Sequence, residues 1–309
     1  MTYILSLTTP FYIQQASDRL TIRTAPALRN YDLAANKSVV FHATDGYAVF
    51  GYSGIAYLNS LPTDHFIAKT LAQVEIPNPP PGVMGRGPAG HAKIGDCVHH
   101  LKHALDAAFQ KLSPPDRAIG INVLATGWRF RRRAHVLFKL STFKWGLFSV
   151  AERIHIVRLA RAGPIHLTAQ PRNTLTKADA DRLLHDLHRI VPDCEQTAAI
   201  LASEIRRVSD SFALRGARTV SRDCMTVTLL PPNPGCIAIA RYVPDPDKGQ
   251  PPEDDYPSFC PWVISENVIV APLALGPGWT GPFGIGEFRL DGPEGGQLGF
   301  HSQHRMPPP

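Results

Sequence analysis

The order of its strand-like and helix-like segments constrains this chain more than any other feature. Tyr3–Leu7 and Phe11–Ser17 alternate as short strands around the turn Thr8-Thr9-Pro10, so a hairpin begins at the N-terminus. Ser38–His42 and Tyr47–Tyr52 read as a second hairpin, with Thr44-Asp45-Gly46 as its turn. A helix then opens at Pro62-Thr63-Asp64, with Thr63 as its cap, and runs to about Val74. The Pro- and Gly-rich stretch Ile76–Gly95 is a long loop. Val98–Leu112 has helical spacing of Val98, Leu101, Leu105, Ala108, Phe109 and Leu112.

Four strands follow, at Ile119–Gly127, His135–Ser141, Gly146–Ala151 and Ile154–Leu159. Helices are predicted over Thr176–Val191, capped by Thr176, and Glu195–Phe212. Met225–Leu230 and Cys236–Val243 form a closing hairpin, and Trp262–Leu275 is one further strand-like run. Strands and helices therefore come in blocks, which excludes an alternating βαβ fold. The expected fold is α+β: a four-layer αββα sandwich of two antiparallel sheets between helix layers. One domain over 1–243 and a Pro/Gly-rich C-terminal extension over 244–309 are expected.

Composition removes several classes of function. No run of eighteen apolar residues occurs, so no membrane span is expected. The N-terminal stretch lacks a basic region and is interrupted by Ser6, Thr8 and Thr9, so it does not read as a secretory signal, and a cytoplasmic protein is expected. Five cysteines are scattered without CxxC spacing, which excludes a zinc knuckle or a redox pair. His99, His100 and His103 share one helical stretch but have no carboxylate partner in the pattern, and read as a helix face. Trp128-Arg129-Phe130-Arg131-Arg132-Arg133 mixes basic and aromatic residues, yet it is single and short. It reads as a solvated loop or subunit contact rather than a nucleic-acid surface.

Chemistry concentrates near the N-terminus. Thr2 follows the initiator Met1 directly, and so small a residue permits Met1 to be removed. The freed α-amine titrates near pKa ~8 and can serve as base for the Thr2 hydroxyl. Asp18 ends the second strand, and Lys37 stands immediately before the third. A buried ammonium beside the amine would favour its neutral, proton-accepting form, and Asp18 would hold that ammonium in place. For all of these the plain alternative is a frayed terminus and a structural ion pair.

The stretch from Thr2 to Ala72 resembles the start of a proteasome β-subunit or of the bacterial HslV-type peptidase, in the N-terminal-nucleophile hydrolase superfamily. The carrying residues are Thr2 and Asp18, sixteen positions apart, then Arg19-Leu20-Thr21, Lys37, and Gly51-Tyr52-Ser53-Gly54. The resemblance implies Thr2 as nucleophile, with Asp18 and Lys37 tuning it and Gly54 N–H as the oxyanion donor. It implies Thr21, Tyr52 and Ser53 as substrate-binding residues. Ser221 and Asp223 stand where the family has supporting Ser and Asp residues, without its neighbouring glycines. Arg161–Pro171 holds Gly163-Pro164 where the family has a serine. The implied activity is hydrolysis of peptide amides in a homo-oligomeric ring, without metal or organic cofactor, with or without an ATPase partner. A non-catalytic scaffold subunit and a stand-alone small-molecule amidase are the competing readings.

Overall fold

The computed structural model describes residues 3–20, 35–72, 93–130, 134–143, 150–158, 165–170, 175–216, 220–231, 236–243, 245–247, 261–265, 268–271, 286–291 and 300–304. The loop expected over 76–95 lies outside these up to residue 92, as do Arg131 to Arg133 and Gly163-Pro164.

The N-terminal hairpin forms β1 (Ile4–Thr8) and β2 (Ile13–Asp18), paired from Ile4↔Ser17 to Thr8↔Ile13. Thr9 makes the turn, its hydroxyl accepting from Phe11 N–H and Tyr12 N–H. The second hairpin is β3 (Ser38–Ala43) and β4 (Gly46–Gly54). A two-residue ladder, β5 (Tyr57–Leu58) and β6 (Leu61–Pro62), leads into α1 (Thr63–Ala72). Thr63 does not cap α1: its hydroxyl donates back to Ile55 O at 2.8 Å, tying the helix start to β4.

α2 (Ile94–Gln110) and the short α3 (Pro114–Ile119) precede β7 (Ile121–Arg129), β8 (Ala134–Phe143) and β9 (Val150–Arg158). Of the strands expected over 146–151 and 154–159, the parts at 146–149 and 159 lie outside the described residues, and within 150–158 β9 runs as one unbroken edge strand. β10 (His166–Gln170) pairs with β1. α4 (Lys177–Ile190), capped by Thr176 Oγ1 on Asp179 N–H at 3.1 Å, and α5 (Cys194–Leu214) follow. β11 (Cys224–Leu229) and β12 (Cys236–Val243) close that block. Beyond residue 243 come β13 (Trp262–Ser265), β14 (Val268–Ala271), β15 (Gly286–Asp291) and β16 (Phe300–His304).

Two seven-stranded sheets result, in the orders β10-β1-β2-β11-β12-β15-β16 and β14-β13-β3-β4-β7-β8-β9. They share an apolar layer to which the first gives Ile13, Met225, Val227 and Leu229, and the second Val40, Tyr47, Val49 and Trp128. α1 and α2 share an apolar cluster with strands of the second sheet, and α4 and α5 share one with strands of the first.

This corrects the expected four-layer sandwich of two antiparallel sheets. The molecule is strand-rich, with five helices among the described residues, and it does not form a clear αββα sandwich. The second sheet is mixed, because β13 runs parallel to β3 from Trp262↔Val39 to Ser265↔His42. The cause lies beyond residue 243, where four strands join the two sheets and widen both.

Candidate functional site

β2 and β3 belong to different sheets, yet the end of one meets the start of the other. Asp18 and Lys37 are both fully buried, with Lys37 Nζ 3.0 Å from Asp18 Oδ2. Lys37 Nζ also donates to Leu20 O at 2.5 Å. Asp18 accepts three backbone N–H groups as well. Tyr3 N–H reaches Oδ1 at 2.7 Å, and Leu20 N–H and Ser221 N–H reach Oδ2 at 3.1 and 3.3 Å. A carboxylate so surrounded is fixed in place by charge-assisted hydrogen bonds from several directions. Removing one partner from such a pair leaves a buried charge and costs about 3–5 kcal/mol.

The Tyr3 nitrogen that donates to Asp18 is the nitrogen bonded to the carbonyl carbon of Thr2. Thr2 itself, like Thr21, lies outside the described residues. Tyr3 is buried between the first sheet and the helices on it. Burial pushes its phenol well above the usual value, and the nearby Glu204 carboxylate adds to the effect.

β4 passes beside the pair. Tyr52 N–H donates to Lys37 O at 3.1 Å, which puts that N–H on the β3 side of the strand. N–H groups two apart in a strand face the same edge, so Gly54 N–H points to the same side, past the start of β3 at Ser38. Gly54 has φ +105°, and a Cβ there would lie 2.1 Å from Gly120 O, so the position demands glycine. Tyr52 packs in the core against the α1–α2 side, whereas Ser53 Oγ is buried without a hydrogen-bond partner among the described residues.

Ser221 and Asp223 reach this end of the molecule, but as supports. Ser221 Oγ accepts Arg19 N–H at 2.9 Å and donates to Asp223 O at 2.7 Å. The Asp223 Oδ1 atom accepts Asp245 N–H at 2.8 Å. Sequence reasoning assigns side-chain roles here, while the contact to Asp18 runs through a backbone N–H, for which no residue-type signal exists. It also misses Leu20, whose N–H and carbonyl grip Asp18 and Lys37 respectively, because main-chain groups leave no mark on composition.

Cys224 lies opposite Asp18 in the β2–β11 ladder, and burial pushes its thiol up to about 12. His99, His100 and His103 are exposed on α2. No group of three metal-ligating side chains occurs among the described residues. No helix among them is long and apolar enough to cross a membrane.

No protein-family model matches the chain, and no curated protein matches it. Among solved structures it is similar to "Anbu (ancestral beta-subunit) from Yersinia bercovieri", with 12% identity, 74% of this chain and 82% of that chain covered, and a TM-score of 0.45. It is also similar to an "Anbu (Gly-1) mutant from Hyphomicrobium sp. strain MC1", with 13% identity, the same 74% and 82% coverage, and a TM-score of 0.43. Both of these titles name Anbu rather than a proteasome β-subunit or an HslV-type peptidase, and the resemblance stated from the sequence is corrected accordingly. Likenesses this distant carry no functional weight, and the chemistry of this chain is read from its own residues.

Proposed function

We propose that this chain is an N-terminal-threonine hydrolase of amide bonds, with Thr2 as nucleophile after removal of Met1. The observation that carries the reading is the fully buried Asp18–Lys37 pair, whose carboxylate also accepts the peptide N–H that joins Tyr3 to Thr2. A buried ion pair gives little net stability compared with apolar packing. Its location against the first peptide bond of the mature chain suits a chemical role better than a structural one.

In this reading the α-amine of Thr2 takes the proton of the Thr2 hydroxyl as that oxygen attacks the substrate carbonyl carbon. An ester forms, the amine passes the proton to the leaving nitrogen, and the C–N bond breaks. Water, deprotonated by the same amine, then cleaves the ester and restores the hydroxyl. Lys37 keeps the amine neutral by its charge, Asp18 fixes Lys37, and Gly54 N–H donates to the oxyanion. Of the two expected substrate contacts on β4, Tyr52 is engaged in the core, which leaves Ser53 as the candidate. No metal or cofactor enters these steps.

Intact and N-terminal mass spectrometry after incubation with a threonine-directed epoxyketone tests the reading. Loss of Met1 with one adduct on Thr2 is expected, and Thr2→Ala and Lys37→Met should both abolish the adduct. Retained Met1 without adduct would establish a non-catalytic scaffold instead. Size-exclusion chromatography with mass detection reads how the site is used. A ring of copies confines it to threaded polypeptides, and a strict monomer leaves it to small amides.

A further inference from the structure

The segment that reaches Asp18 from the far side is itself clamped by one side chain. Ser221 N–H makes the longest of Asp18's four contacts, at 3.3 Å. Arg19 N–H, next in the chain to Asp18, donates to Ser221 Oγ and to Asp223 O, so residues 221–223 set the height of the carboxylate from both sides. Arg222 stands between those two residues, and its guanidinium gathers three carboxylates. Nε meets Asp245 Oδ1 at 3.0 Å, Nη1 meets Asp210 Oδ1 at 2.6 Å on α5, and Nη2 meets Asp247 Oδ2.

The links close on themselves. Asp245 is buried, its N–H donates to Asp223 Oδ1 at 2.8 Å, and its Oδ1 also accepts Asp247 N–H at 3.2 Å. From α5, Arg206 Nε donates to Arg222 O at 3.4 Å and Ser209 Oγ to Val220 O at 2.8 Å. Arg222 thus joins α5, the 220–223 segment and the first residues past β12. Its hydrogen bonds to Asp245 and Asp210 raise the guanidinium above its ordinary value. A planar fork reaches three acceptors spread around it from three separate nitrogens, whereas the three donors of a lysine sit on one compact nitrogen that cannot span them.

We propose that Arg222 is a positioning residue for Asp18: it fixes residues 221–223, and through Ser221 N–H the carboxylate that orients Lys37. The proposal rests on the hydrolase reading above. Without the guanidinium, Asp245 keeps a buried charge with its arginine gone, residues 245–247 lose their anchor, and Ser221 N–H drifts from Asp18. A misplacement of that size at a catalytic support lowers the chemical step rather than substrate binding.

The test is made on the full chain. Active sites are counted by epoxyketone adduct, and kcat per labelled site and KM are measured on a fluorogenic peptide amide. Arg222→Ala should lower kcat per site about ten- to a hundredfold with KM within about twofold, and Arg222→Lys should fall between it and the parent. A merely structural arginine would reduce the number of labelled sites and leave kcat per site unchanged, and that result overturns the proposal. Should Arg222→Ala not fold, Arg222→Lys decides alone: reduced kcat per site supports the role, and parental kcat sinks it. An unlabelled parent protein would overturn the hydrolase reading, and this inference with it; labelling of the parent with indifferent variants removes this inference only.

Discussion

The two ends of β2 and β4 solve different physical problems within one pair of strands. At one end Ile13, Tyr47 and Val49 meet Trp128 and Leu229 in a dry layer between the sheets. Even the polar tips there are spent locally: Tyr47 OH donates to Leu230 O, and Trp128 Nε1 donates to Leu229 O at 3.4 Å. At the other end the same strands finish in Ser17-Asp18 and Ser53-Gly54. There an ion pair is fully buried, and the Ser17 and Ser53 hydroxyls find no hydrogen-bond partner among the described residues. Apolar burial holds the sheets together at the first end. The second end keeps charged and hydrogen-bonding groups out of water, which stability alone does not require.

That contrast can be broken from either side. The largest effect is expected from Lys37→Met against Leu229→Ala. Losing Lys37 leaves the Asp18 charge buried, so about 3–5 kcal/mol should go in urea unfolding, together with the epoxyketone adduct. Leu229→Ala should cost a comparable amount, about 2–5 kcal/mol, but leave adduct per folded molecule unchanged. An equal loss of adduct in both would mean that the two ends are not functionally distinct.

Next in size is Gly54→Ala. Its φ of +105° and a Cβ set 2.1 Å from Gly120 O force the strand end to move. A stability loss of about 1–3 kcal/mol and a fall in labelling rate are expected, measured by thermal unfolding and time-resolved mass spectrometry. A variant that labels at the parental rate would remove Gly54 N–H from the oxyanion role.

Ser53→Ala should act in the opposite direction on stability. Deleting a buried hydroxyl that lacks a partner relieves a cost of about 1–3 kcal/mol, so the midpoint in urea should rise. A fall would show that Ser53 Oγ is already satisfied.

The smallest effect concerns two buried thiols, one in an apolar cluster and one at the polar end. Cys97, on α2, packs in the cluster against the second sheet, Cys224 faces Asp18 across the ladder, and burial pushes both up to about 12. Their thiolate fraction at pH 8 is then on the order of one in ten thousand. Both should stay unalkylated by iodoacetamide in the folded protein, as read by peptide mapping, and label fully in denaturant. Native labelling of Cys224 alone would show that the polar end opens to solvent.

Much of the site's membership can be named from the chain alone, although its construction cannot. Asp18 and Lys37 stand out as ionisable residues at strand ends, and the fold does bring them to 3.0 Å. Ser221 and Asp223 stand out by residue type, yet what reaches Asp18 is a main-chain N–H, and Asp223 turns to Asp245. The Arg222 cluster joins residues up to 37 positions apart, Asp210 to Asp247, that share no local pattern. Among the strands, β10, β15 and β16 escape notice because five or six residues carry too little period-2 signal to stand apart from their Pro- and Gly-rich surroundings.

By itself the sequence determined what is local: the two opening hairpins, the amphipathic helices, the Thr176 cap and the placing of Asp18 and Lys37 at strand ends. Each follows from periodicity, turn chemistry or capping within a dozen residues. The tertiary structure decided what depends on distant partners. It made one sheet mixed by laying β13 parallel to β3, buried Asp18 and Lys37 together across two sheets, and closed the Arg222 clamp on the residues after β12. Sheet edges accept whichever strand the rest of the fold delivers, and a buried charge is tolerated only where its partners converge, so neither outcome is written in any single stretch of chain.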